Sequence, residues 1–572
     1  MNRRNFVQNA LLVGLSSQLL QARASVQQER VIVHGADPTG SADSTSAFLD
    51  AIRALPQRHG RLSISPGTYR FCEASDWLFK IRNCFDLRIE GNGSLLLFEG
   101  NTHPFRIEDC EQVTVRDLRI DWSRPPFSQG VVLEAGLKWF EVKVDAEYPV
   151  TGEESIEAIS EYDRALGLPS INGLDLYGHV RAVRLLRPQV LRIDMSVPIN
   201  LRAGTTVVLR HRVNNSPIFV LARCNEVRFE EVTLHAAPGT GIIAIAGSGM
   251  HFSRLRILPR ADSGRMLSLN ANGVHLTDCR GNIEIMDCKF QGMGDGAINI
   301  CSTFGRIVQV IDRNTWVVAG RYPEHWELRR LSGKGITVDL CDAKTLNVLG
   351  SAVVSGSHIV SGQAVVRVEK SVSVKEGIIL CDSQNDTNSI VANCEFNGNR
   401  ACGIVAHNNI KIMNNTFFGQ SLAAILLAPD AWWMEGPVVR NVEIEGNSFD
   451  YNYFGQCAGR RGAITVDIAG EFENAGATGE RINERISISG NRFSRSYGSA
   501  IFANRASELS IIRNTFSSSS IMQREEGPKK AVVLNDVSCP YYAGNEMTDS
   551  EVVIAPNCDL TMEGGNVGIS RK

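Results

Sequence analysis

Two acidic residues stand in surroundings suited to proton chemistry. Asp295 lies at a glycine-flanked turn, Gly294-Asp295-Gly296, directly before the apolar run Ala297-Ile298-Asn299-Ile300. Glu435 follows Trp432-Trp433-Met434. Aromatic faces line many sugar sites, and they desolvate a nearby carboxyl and raise its pKa. Two such carboxyls can cleave an acetal with inversion. One protonates the leaving oxygen while the other activates a water, and they stand roughly 6.5–9.5 Å apart to leave room for it. The plainer reading of Asp295 is a turn aspartate satisfying backbone N–H groups. For Glu435 it is a solvated acid at a loop edge.

Asp382 and Asp386, in Cys381-Asp382-Ser383-Gln384-Asn385-Asp386, are further acids of this kind, and so is Asp467. Solvated turn acids are the alternative for Asp382 and Asp386. Asn272 and His275 could donate hydrogen bonds to a substrate hydroxyl, with a satisfied coil histidine as the plainer reading of His275. Trp433 offers an aromatic face, and His407 beside Asn408-Asn409 reads as a turn residue. No calcium-loop spacing and no CxxC pair occurs, so neither a metal nor a cofactor is expected.

Acids so far apart along the chain meet only if the chain keeps returning to one place. It reads as doing so. Ile285-Met286-Asp287-Cys288-Lys289-Phe290 recurs as Val391-Ala392-Asn393-Cys394-Glu395-Phe396 and Ile412-Met413-Asn414-Asn415-Thr416-Phe417. Ile444 to Phe449, Ile488 to Phe493 and Ile511 to Phe516 continue the pattern. The phenylalanines fall 21 residues apart at 396 and 417, and 23 apart at 493 and 516. Strand, Asn/Gly turn and strand at a period of about 20–25 residues make a β-solenoid. No helical period accompanies the strands, which excludes a leucine-rich repeat. Coils stack about 4.8 Å apart, so carboxyls one or two coils apart on one face can pair. The Asn at each bend tolerates left-handed dihedrals and can bond along the stack.

The first strand, Val31-Ile32-Val33, leads to a short amphipathic helix at Ala47–Ile52 with a polar N-cap, a cap for the open end. Two stretches of alternating strands interrupt the coils and read as inserted antiparallel modules that wall one face. The order is an export signal at 1–24, cap and first coils at 25–130 and an insert at 131–213. Coils at 214–304, a second insert at 305–384 and C-terminal coils at 385–572 follow. The class is all-β, a right-handed parallel β-helix with two barrel-like inserts.

The 572 residues exceed one ordinary core, which a coil-by-coil solenoid permits. A net charge of −3 shows no footprint for nucleic acid. Residues 1–24 carry Arg3, Arg4 and Arg23, no acid, a short apolar stretch and Ala22-Arg23-Ala24, an export signal of twin-arginine type, with an ordinary secretory signal as the alternative. A periplasmic or secreted chain without membrane insertion is expected. Its 14 cysteines mostly precede short strands, where buried thiols fit better than disulfides.

The stretches Ile120 to Gly130, Val232 to Gly241, Asp295 to Ile300 and Trp433 to Val438 resemble glycoside hydrolase family 110. Its members are exo-acting α-1,3-galactosidases on a pectin-lyase-like parallel β-helix. The resemblance covers nearly the whole mature chain and is strongest at 105–130 and 215–450. It implies hydrolysis of a terminal α-glycosidic bond of an oligo- or polysaccharide. Asp295, Asn299, Arg400 and Glu435 keep the family's residue types, which implies catalytic carboxyls at Asp295 and Glu435 and substrate contacts at Asn299 and Arg400. The chain departs at Gly296, where the family has a second aspartate. It departs again in the stretch around Asn272, at Cys301, where the family has His, and at Cys402, where it has Arg. A lyase using Arg400, Arg460 or Arg461, an epimerase on the same fold, and a non-catalytic glycan binder stay open beside the hydrolase.

Overall fold

The computed structural model describes residues 28–320, 335–382, 387–455, 462–469, 480–517, 529–548 and 550–562. The segment expected to be an export signal, Asp386, Arg460 and Arg461 lie outside the described residues. Each coil contributes three short strands that pair in parallel with the same strands of the next coil, giving three faces. The first face runs through Phe219–Ala222, Ile242–Ile245, Val274–Thr277, Ile298–Thr303, Ile404–Val405, Ile425–Leu427 and Gly462–Val466. The second contains Arg280–Met286, Thr387–Ala392, Asn408–Met413 and Arg440–Glu445. The third contains Lys289–Gln291, Glu395–Asn397, Thr416–Phe418 and Ser448–Asp450.

Alternate residues of each strand point inward and lose contact with water, as Ile283 and Ile285 do. On the third face the recurring phenylalanines form one stack. Phe290, Phe396, Phe417, Phe449, Phe493 and Phe516 follow at centroid separations of 5.2, 4.6, 4.9, 4.7 and 5.0 Å, within 7° of parallel. Beside it runs an amide ladder through the buried Asn415, Asn447, Asn491, Asn514 and Asn545. Each Asn donates its backbone N–H and side-chain amide to the next Asn Oδ1 at 2.9–3.1 Å. The residue before each rung takes the left-handed conformation: Asn414, Gly446, Gly490, Arg513 and Gly544. The two jobs expected of one Asn are therefore divided between neighbours. The earlier rungs are thiols, with Cys288 N–H directed at Cys394 Sγ (3.4 Å) and Cys394 N–H donating to Asn415 Oδ1 (2.8 Å). The thirteen described cysteines carry free thiols.

A helix, Thr45–Arg53, covers the open end with Phe48 and Ala51 buried. Its N-cap residue, Ser44, makes no side-chain cap bond, and Asp43 before it accepts from Thr45 N–H at 3.2 Å instead. Two modules interrupt the coils at the two edges of the first face. The first is an antiparallel sheet of eight strands between Phe127 and Arg210, entered from the third face and leaving toward the first. The second, from Gly305 to Cys381, closes as a six-stranded barrel and separates the first face from the second. Both lean on later coils. Asn172 N–H donates to Phe454 O, and Arg505 reaches Thr345 O of the barrel at 2.8 Å. A groove floored by the first face is the result. No described helix is long and apolar enough to cross a membrane.

Candidate active site

The groove floor is a register column. His275 lies opposite Asn299, Asn299 opposite Val405, Val405 opposite Leu426, and Leu426 opposite Thr465. Parallel pairing keeps these side chains on one face. Cys301, two residues beyond Asn299, shares that face, and its Sγ lies 3.5 Å from His275 Nε2. Burial, then Glu435 and Asp278, push the Cys301 thiol well above its ordinary pKa.

Glu435 reaches the floor through a loop that folds back. Asp430 Oδ1 accepts the N–H groups of Trp432 and Trp433 (2.8 and 2.9 Å), and Asp430 exchanges two backbone bonds with Glu435. Glu435–Gly436 then pairs antiparallel with Ser302 and Thr303, the end of the floor strand. This puts Glu435 Oε2 3.1 Å from Asn299 Nδ2 and Oε1 4.0 Å from His275 Nε2. Asn299 Oδ1 is buried without a protein partner. Trp432 and Trp433 stand exposed at the loop tip. His407 is buried beneath, its ring nitrogens 3.2 Å from Ile300 O and 3.3 Å from Ala428 O.

Asp295 lies at the other end of the same strand, in the turn that enters it, with its side chain 38% exposed. The first insert holds that turn. Arg210, from the insert's last strand, donates to Gly294 O (2.7 Å) and Asn270 O (3.3 Å). Asn272 Oδ1 accepts Gly296 N–H at 2.9 Å, so Asn272 is a turn brace here. Arg400 sits over the turn with Nη1 4.0 Å from Asp295 Oδ1 and its fork on Asp175, Nε to Oδ2 at 2.8 Å. Burial draws the Arg400 pKa down, but Tyr177, Asp175 and Asp295 outweigh it and raise it. The Tyr177 ring lies between Arg210 and Arg400, 4.6 and 4.7 Å from their guanidinium carbons, and stays 39% exposed.

The structure thus brings Asn272, His275, Asn299, Arg400, Glu435 and Asp295 to one strand and its two ends. Trp433 belongs to the loop that carries Glu435. Asp382 stands elsewhere. It is buried, ion-paired with Arg280 at 2.8 Å, and lines a cavity of about 670 Å³ with Asp278, Arg223 and Asp109, a lining that includes neither Asp295 nor Glu435. Asp467 lies past the floor column, its Oδ1 held by Asn504 at 2.9 Å. Sequence reasoning missed Asp175, Tyr177 and Arg210. They come from an insert 225 residues from Arg400 in the case of Asp175, and no spacing marks them.

No protein-family model matches the chain. It is 27% identical over 394 residues to α-1,3-galactosidase B of Bacteroides thetaiotaomicron, a match covering 64% of this chain and 63% of that protein. It is 23% identical over 598 residues to α-1,3-galactosidase A of Shewanella woodyi, covering 96% of each. Among solved structures, an exopolygalacturonase of Thermotoga maritima aligns over 92% of this chain and 93% of its own, with 12% identity and a TM-score of 0.41. Through the sequence matches, the chain is a homologue of curated α-1,3-galactosidases across much of its length.

Proposed function

We propose that the protein is an exported glycoside hydrolase that removes a terminal α-linked sugar, galactose being the leading candidate, with inversion. The observation that carries this reading is that Glu435 reaches back along the strand Ile298–Thr303 to Asn299, four residues after Asp295, so that both carboxyls serve one face between the inserts. Asp295 is the more exposed and faces Arg400, as suits a carboxylate that activates water. Glu435, beside His275 and Asn299 and below Trp432-Trp433, suits the protonated partner. The names of the curated relatives point the same way.

The test is turnover of aryl α-galactosides and α-1,3-linked digalactosides, followed by proton NMR. Free β-galactose as the first product is expected. Asp295→Asn should lower turnover by about 10²–10⁴-fold with binding retained. Full activity in Asp295→Asn would remove Asp295 from the mechanism, and an unsaturated product would mean a lyase. Glycan binding without any turnover would favour the binder that Gly296 suggests. Export predicts a mature N-terminus near Ser25 in the periplasm or medium, read by N-terminal sequencing.

A further inference from the structure

We infer that His275, Cys301 and Glu435 form a binding site for a divalent cation of the zinc class on the groove floor. One ligand atom from each lies within 4.8 Å of the other two. A tetrahedral zinc centre with bonds of about 2.0–2.1 Å to nitrogen and about 2.3 Å to sulfur sets its N and S ligands about 3.6 Å apart. His275 Nε2 and Cys301 Sγ stand 3.5 Å apart. The same geometry sets N and O about 3.4 Å apart. His275 Nε2 and Glu435 Oε1 are at 4.0 Å, so a small rotation of the carboxylate closes the site.

The donor set decides the class of ion. Imidazole with thiolate selects zinc and its neighbours over calcium and magnesium, which take oxygen ligands. All three donors are fixed by one strand. His275 is on the strand paired with it, Cys301 is in it, and Glu435 is paired to its end. Outer contacts are present too: Asn299 Nδ2 holds the second Glu435 oxygen at 3.1 Å, and Thr277 Oγ1 lies 4.0 Å from Cys301 Sγ. Binding releases the Cys301 proton to solvent. Three protein ligands leave a fourth position for water or a sugar hydroxyl, the arrangement of an open rather than a closed zinc site. His275 and Glu435 are 19% and 21% exposed at their side chains, so this position faces the groove.

The inference does not rest on the hydrolase reading, and with the ion bound Glu435 is a ligand carboxylate and no longer the proton donor. The full chain, loaded with cobalt(II) and dialysed, should retain one cobalt per chain. It should show the thiolate-to-cobalt charge-transfer band, which zinc then displaces. Cys301→Ser, nearly isosteric, should abolish the band and weaken retention by at least about tenfold. His275→Ala should weaken it likewise. Cys279→Ser, a buried thiol outside the trio, should leave both unchanged. Loss of all cobalt from the wild type on dialysis, or a band that survives in Cys301→Ser, would overturn the site. Neither outcome bears on Asp295→Asn, which tests the hydrolase separately.

Discussion

Gly436 shows how far one residue can govern the site. A Cβ placed there would stand 2.0 Å from the ring of Phe304. That ring is itself buried among Cys341, Leu346, Ile379, Cys381, Ala431 and Ile468 and cannot yield. Gly436→Ala should therefore cost about 1–3 kcal/mol of stability, measured by urea unfolding. It should also lower turnover by moving Glu435, whose backbone is paired to Thr303. An unchanged unfolding midpoint would disprove the close approach. Much of the site at this scale was legible. Asn299 sits four residues after Asp295 in one apolar strand, and His275 precedes an alternating run of its own, so both fall on a strand face. The meeting of Glu435 with His275 was not legible, because it depends on a loop that doubles back through Asp430. Nor was the separation of Asp382, whose partner Arg280 lies 102 residues away.

The coil is the next scale, and the amide ladder is its least redundant part. Asn491 accepts from Asn447 twice, donates to Ile444 O at 2.9 Å, and donates twice to Asn514. Asn491→Ala takes the Oδ1 acceptor from the Asn447 backbone N–H and side-chain amide, and removes the side-chain donor to Ile444 O and one of the two donors to Asn514 Oδ1. Loss of about 2–4 kcal/mol is expected, read as a lower urea midpoint with little change in slope. A loss below half a kcal/mol would mean the rungs act independently of one another. The coils were readable because an inward Phe and a bend Asn recur together, and each has one physical task. The cysteine and asparagine rungs were not recognisable as one ladder. The repeat sets Cys288, Cys394 and Asn415 at one position, but thiol and amide share little beyond size, so their common hydrogen-bonding role shows only in the structure.

Over the whole molecule, acid should weaken the fold through two imidazoles, the buried His407 and the half-buried His211. Burial, then Arg124, lowers the pKa of His211 to about 4, and burial lowers that of His407 to about 4. The unfolded chain binds these protons at about 6.5. Stability contributed above pH 6.5 is therefore lost as pH falls toward 4, by roughly 2 kcal/mol per imidazole at pH 5. The urea midpoint should drop between pH 7 and 5. In His407→Gln the drop should be smaller, and an equal drop would assign it to other groups. The two inserts enter at opposite edges of one face, and this has a mechanical meaning. Pulled by its C-terminal end, the solenoid would surrender its last coils first, a short thread of chain at a time. The loop bearing Glu435 hangs from a coil that parts before the strand beginning at Ile298 is touched. The barrel, closed upon itself, would still stand when that loop parts, and the first insert, nearer the N-terminus, would outlast the barrel. A molecule peeled this way loses its chemistry while most of its length still holds its shape.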